Sequence, residues 1–181
     1  VTEIPWYSDL RETWKPAAVR LLLIGESPPD DGGDPTRRRF FYAEPVAQAD
    51  NLFRSVVDAL YGSGKLTKGD LKAPWLKRLR DDGVFLIDLA ARPVNALSNG
   101  ARQRARRDGV GACIERTTQL APEGIIICHT PSYNVVAAPL RAAGLPLLHD
   151  EPIPFPLGNT RARFIEKVRD AVATMPPPEG T

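Results

Sequence analysis

Four short stretches of the chain carry residue types able to do acid–base or hydrogen-bonding chemistry, and each follows an apolar run. Gly25-Glu26-Ser27-Pro28-Pro29-Asp30 closes VRLLLIG, and Asp88, with Arg92-Pro93 close behind, sits within VFLIDLA. His129-Thr130-Pro131-Ser132 follows GIIIC, and His149-Asp150-Glu151-Pro152 follows LPLL. His129 and His149 are the only two histidines in the chain. A carboxylate can hold water, steady a growing positive charge or accept a proton, and an imidazole can donate to a growing negative charge. A strand-end histidine also serves as a simple cap on backbone, and that reading stays open for both.

Other motifs fall away on inspection of their spacing. Gly62-Ser63-Gly64-Lys65 looks like the end of a phosphate-binding loop, but Ala59 and Leu66 stand where Gly and Ser or Thr are needed, so it reads as a turn. No G-x-G-x-x-G follows any apolar run. Cys128-His129 lacks two further ligands, and Asp30-Asp31-Gly32-Gly33-Asp34 lacks the later bidentate Glu of a calcium loop, so neither metal nor cofactor is expected. Ser27, Asp88 and His149 run in the order of an α/β-hydrolase triad. Pro28-Pro29 opposes the tight turn such a nucleophile needs, which leaves a serine esterase as the third reading.

The elements that must position these residues come from the apolar pattern. Val19–Gly25, Val84–Ala90, Gly124–His129 and Leu145–His149 read as strands buried on both faces, as in a parallel sheet covered by helices. Helical spacing covers Asn51–Tyr61, Trp75–Arg80, Gly109–Leu120, Ser132–Ala143 and Asn159–Thr174. The alternation predicts a three-layer α/β/α sandwich around a mostly parallel four-stranded sheet, with ligands beyond the carboxyl ends of its strands. One domain over 1–174 is expected, with 175–181 a Pro-rich, frayed tail. The chain has 181 residues, 43% hydrophobic, and a formal net charge of +2, which excludes a disordered polymer. No apolar run approaches the roughly 20 residues of a membrane span, and the polar Val1–Lys15 stretch is unlike a signal peptide. Cys113 and Cys128 read as free thiols of a cytoplasmic protein, and a monomer is expected.

Taken together, these segments resemble the uracil-DNA glycosylase superfamily over about Arg20 to Val172. Gly25-Glu26-Ser27-Pro28-Pro29 is similar to its first motif, which reads GQDPY, GEAPG or GINPG in different branches. Phe40-Phe41-Tyr42, followed by Leu52-Phe53, resembles the segment whose aromatic ring stacks on the extruded base. Val84–Asp88 with Arg92-Pro93 is similar to the strand whose terminal Asn reads that base. His149-Asp150-Glu151-Pro152, ahead of a helix bearing Phe164, resembles the second motif, HPSP.

The resemblance implies a DNA-base glycosylase that hydrolyses the N-glycosidic bond of a flipped, damaged or deaminated base in single- or double-stranded DNA. Extrusion costs a few kcal/mol, and stacking on Phe40 or Phe41 would return about 1–3 kcal/mol of it. His149 would donate to the departing base, and Glu26, with Asp30 in reserve, would serve the water and the sugar. Gly25, Ser27, Pro28, Asp88 and His129 would line the substrate. Arg37, Arg38 and Arg39, with Arg102, Arg104, Arg106 and Arg107, would contact phosphates from loops beside the rim.

Departures from the family pattern narrow the substrate. Ser27 stands where one branch has a water-activating Asp, and Asp88 stands where Asn is expected. An ionised Asp offers acceptors only, so it suits an exocyclic amine better than the O4 of uracil. Two cysteines exclude the four-cysteine iron–sulfur cluster of the GEAPG branch. A catalytically inactive DNA- or nucleotide-binding module is the alternative from another class. Of 24 basic residues 18 are Arg, and the near-neutral total reads as a basic border around an acidic centre of Glu26, Asp88, Asp150 and Glu151.

Overall fold

Three of the apolar runs form strands, β1 (Leu21–Gly25), β2 (Val84–Asp88) and β3 (Gly124–Ile127), and every residue in them is buried. They pair in parallel in the order β2-β1-β3, with Leu21 opposite both Val84 and Gly124 and Gly25 opposite Asp88. The computed structural model describes residues 5–62 and 65–177; Ser63-Gly64 of the expected turn and the last four residues of the expected tail lie outside it. Helices cover both sides of the sheet. They are α1 (Trp6–Thr13), α2 (Asn51–Tyr61), α3 (Ala73–Asp81), α4 (Asn99–Leu120), α5 (Thr130–Ala142) and α6 (Arg161–Ala173). α2 packs on α6 and α4 packs on α5.

The fourth strand expected over Leu145–His149 does not form. Ile125 N–H donates to the Pro146 carbonyl (2.9 Å) and Leu148 N–H to the Ile125 carbonyl (3.0 Å), and pairing ends at the single Ile125–Leu147 bridge. Further along β3, Ile127 N–H donates to Nε2 of His149 at 3.0 Å. An imidazole stands there in place of a carbonyl, so the segment leaves the sheet, which has three strands among the described residues. On the opposite side the Tyr42 hydroxyl accepts from Leu86 N–H (2.7 Å) and donates to the Leu86 carbonyl (3.2 Å). Beyond it, Arg116 Nη2 donates to the Asp88 carbonyl at 2.7 Å.

Two helices differ from the sequence expectation. α1 lies in the stretch read only as polar, where Tyr7 is buried and Arg11 follows one turn later. α4 begins at Asn99, capped by the Ser98 hydroxyl, rather than at Gly109. Arg102, Arg104, Arg106 and Arg107 are therefore helical residues and not loop residues. The inward face of α4 starts with Arg102 and Arg106 and continues through Cys113 and Thr117, so its first turns carry no apolar stripe. Gly109 lets this face close on β2, because a Cβ there would lie 2.5 Å from the Leu89 carbonyl oxygen.

Removing the Tyr42 hydroxyl leaves a buried N–H and a buried carbonyl of β2 without partners. Tyr42→Phe should cost about 1–3 kcal/mol in equilibrium urea unfolding. A change under roughly 0.5 kcal/mol would mean that the hydroxyl carries none of this edge's stability.

Candidate functional site

The carboxyl ends of all three strands open into one cleft of about 760 Å³. Gly25, Glu26, Ser27 and Pro28 form its floor with Asp88 and His129. Phe40 and Phe41 form a wall, and Pro154, Phe155 and Leu157 reach it from the segment before α6. Among the arginines singled out in the sequence, Arg39 and Arg102 line the cleft. Asp30, His149, Arg37, Arg38, Arg104, Arg106 and Arg107 are not part of its lining.

Asp88 ends β2 with its Oδ2 held by Arg11 Nη2 at 2.5 Å. Its Oδ1 sits directly over Gly25, where a Cβ would lie 2.7 Å away, so glycine is what lets the two strand ends approach. No donor among the described residues reaches Oδ1, which leaves it as the acceptor that Asp88 contributes to the cleft. Burial pushes the carboxyl up to about 6, against Arg11 and Arg116, which pull it down. Asp88 is therefore mainly ionised at pH 7.

Glu26 is held far more tightly than a free catalytic carboxylate would be. Oε1 accepts from Arg102 Nε (2.9 Å) and Arg106 Nη1 (2.7 Å), and Oε2 accepts from Arg102 Nη2. Burial works to raise its pKa, but the Arg102 hydrogen bond and the charges of Arg102 and Arg106 outweigh burial and hold it below the ordinary value. The centre expected to be acidic is thus matched by cations from behind. Asp150 and Glu151 lie elsewhere, exposed and paired with Arg141 and Lys167.

The two histidines have separate tasks. His149 accepts from Ile127 N–H through Nε2 and donates from Nδ1 to the Glu151 carbonyl at 2.7 Å, so both ring nitrogens are bound to backbone. That geometry leaves it no proton to exchange with a ligand, and the Ser27–Asp88–His149 triad is not assembled. His129 lines the cleft, with Nδ1 2.9 Å from the Ser132 hydroxyl. Ser132 is fully buried, and among the described residues its hydroxyl has no acceptor except that nitrogen. A ring protonated at Nε2 lets that hydroxyl donate to Nδ1, and no described residue binds Nε2. Burial keeps His129 below its ordinary pKa and hence neutral at pH 7. Sequence reasoning placed His129 on the rim but gave Ser132 no part; the Ser three residues after the His was the available signal.

The remaining candidates are accounted for by local bonds. Asp30 is exposed and accepts from Gly32 N–H (2.9 Å), a turn interaction. Arg38 pairs with Asp31 and covers the Trp6 ring, while Arg104 and Arg107 are exposed on α4. Phe40 and Phe41 are 5% and 8% exposed, packed edge-on against Tyr42, with Phe41 also against Phe53. They are core residues whose edges reach the cleft. Their carbonyls are gripped by the buried ammonium of Lys72, at 2.8 Å and 3.3 Å, and Lys72 also pairs with Asp50 at 3.0 Å. Lys72 and Arg11 were not foreseen, because a lone cation in a polar stretch carries no pattern.

Two measurements check this electrostatic arrangement. The folded pKa of Asp88, about 6, lies above the unfolded value of about 3.9. Its contribution is thus fully present at low pH and is lost as pH rises through about 6. Relative to Asp88→Asn, the wild-type protein should lose on the order of 3 kcal/mol between about pH 4 and pH 7 in urea unfolding. An equal pH slope in both proteins would contradict that assignment. In nitrogen-15 NMR, His129 should show the pattern of a ring protonated at Nε2, and Ser132→Ala should shift it toward a mixture of tautomers. Compared with known proteins, the chain matches no family model and no curated sequence.

Proposed function

We propose that the protein is a DNA-base glycosylase that takes a base turned out of its strand into this cleft and hydrolyses the N-glycosidic bond. The observation that carries the reading is the convergence of Glu26, Asp88 and His129 on one cleft beside the Phe40–Phe41 wall. Those groups supply the chemistry the reaction needs. An extruded base would lie along the aromatic wall, and Asp88 Oδ1 would accept from its exocyclic amine. The Nε2–H of His129 would donate to a carbonyl oxygen of the departing base as negative charge grows on it. The Glu26 carboxylate would steady the positive charge on the sugar and orient water. An ionised Asp88 favours a base bearing an amine over unmodified uracil.

One observation favours a second reading, a binding module of the same fold. Three N–H groups of Arg102 and Arg106 already occupy Glu26, and a carboxylate so satisfied is a poor base.

Oligonucleotides carrying uracil, hypoxanthine, xanthine, modified cytosines and mismatches, treated with alkali after incubation, separate the two readings. Strand scission at one of these bases, reduced at least about 100-fold by Glu26→Ala and by His129→Ala, is the expected result. Asp88→Asn should raise single-turnover excision of uracil, because the amide adds a donor for O4. Tight binding with no scission at any base would leave the binding module.

A further inference from the structure

We propose that Arg102, which shares Glu26 with Arg106, forms a site for the phosphate group of a nucleotide ligand, and that Glu26 fills this site as an internal substitute until the ligand arrives. The inference rests on the reading that the cleft takes a nucleotide, and it adds where the phosphate sits and what it displaces.

The balance of charge around the cleft is uneven. Asp88 is ion-paired with Arg11 and Asp50 with Lys72, one paired cation for each carboxylate, with Arg116 bound only to the Asp88 carbonyl. Glu26 has two, and neither Arg102 nor Arg106 has another acidic partner among the described residues. Arg106 is 11% exposed in its side chain, so the surplus charge is largely withdrawn from water. A guanidinium so placed is costly unless an anion balances it. Arg39, on the same cleft, makes no ion pair with a described residue and adds to the surplus.

The geometry suits phosphate. Arg102 presents Nε and Nη2 as a fork to the Glu26 carboxylate, the arrangement by which arginine also grips phosphate oxygens. Its Nη1 bonds to no described residue, and its side chain is 35% exposed on the cleft wall. An arriving phosphate can therefore engage Nη1 first and then take over the fork. Glu26 keeps Arg106 and regains a free Oε2. No covalent bond is made or broken, and the exchange trades one anion for another on the same cations. Ligand arrival would thus unmask the carboxylate, which is otherwise saturated with donors.

A phosphate monoester of a free nucleotide and a phosphodiester of a DNA strand share this chemistry. Titration calorimetry with inorganic phosphate, deoxycytidine 5′-monophosphate and a single-stranded oligonucleotide is the test. Glu26→Gln should bind phosphate and the mononucleotide at least tenfold more tightly than the wild type, because the competing charge is gone. Arg102→Ala should bind them at least tenfold more weakly, and Lys77→Ala, on exposed α3 surface, should bind as the wild type does. No gain in Glu26→Gln, or no loss in Arg102→Ala, overturns the proposal. Should either variant fail to fold, the Arg102 Nε–H resonance of the wild type decides: it shifts on adding phosphate, or the proposal falls. Saturable binding by the mononucleotide alone assigns the site to free nucleotides, and binding by the oligonucleotide alone assigns it to the DNA backbone. Binding at Arg102 with no base excision keeps this site and removes the glycosylase reading; excision without the Glu26→Gln gain removes only the site.

Discussion

Three carboxylates, Glu26, Asp50 and Asp88, are withdrawn from water around one cleft, and a carboxylate cannot remain ionised in such a place without a cation close by. That requirement organises the elements outside the sheet. α1 supplies Arg11 to Asp88, α4 supplies Arg102 and Arg106 to Glu26, and the residue before α3 supplies Lys72 to Asp50. Each pairing ties a segment distant in sequence to the carboxyl end of the sheet. Deleting one partner of a buried pair strands the other charge, a loss of about 3–5 kcal/mol. The pairs thus hold the cleft's shape as well as its charge.

The same logic links the backbone to the side chains. Arg102 and Arg106 reach Glu26 only because α4 lies close to β2, and Gly109 permits that approach. Arg116, on the same helix, binds the Asp88 carbonyl. Asp88 can sit over β1 only because Gly25 has no side chain. Two glycines and three arginines therefore act as one unit, and the wall of Phe40 and Phe41 is held by Lys72 and joined to that unit through Arg11, which lies over the Phe40 ring and pairs with Asp88.

How much of this could be read from the sequence followed the source of each element's stability. β1, β2, β3 and α2 were legible because continuous or helically spaced apolar residues hold them. The first turns of α4 were not, since charge pairing replaces apolar burial there. α1 escaped for the same reason, with one buried Tyr and a buried-facing Arg in a polar stretch. The 145–149 run looked like a strand, and apolar content alone could not reveal that the His149 ring would end its pairing. The rim itself was legible: Gly25, Glu26, Asp88 and His129 meet at the ends of their strands, whereas the pairing partners and the Ser132 contact depend on distances that spacing does not encode.

A sheet of three strands has two edges and a single interior strand, so both outer strands carry backbone groups with no strand beside them. Exposed apolar edges of this kind recruit strands from other chains. Here the Leu86 N–H and carbonyl and the Asp88 carbonyl of β2 are taken by the Tyr42 hydroxyl and the Arg116 guanidinium, and β3 is closed by the Ile125–Leu147 bridge and the His149 ring. Side chains terminate the sheet where further strands would otherwise be needed. So narrow and apolar a platform thus carries a charged cleft at one end while side chains occupy backbone groups along its flanks.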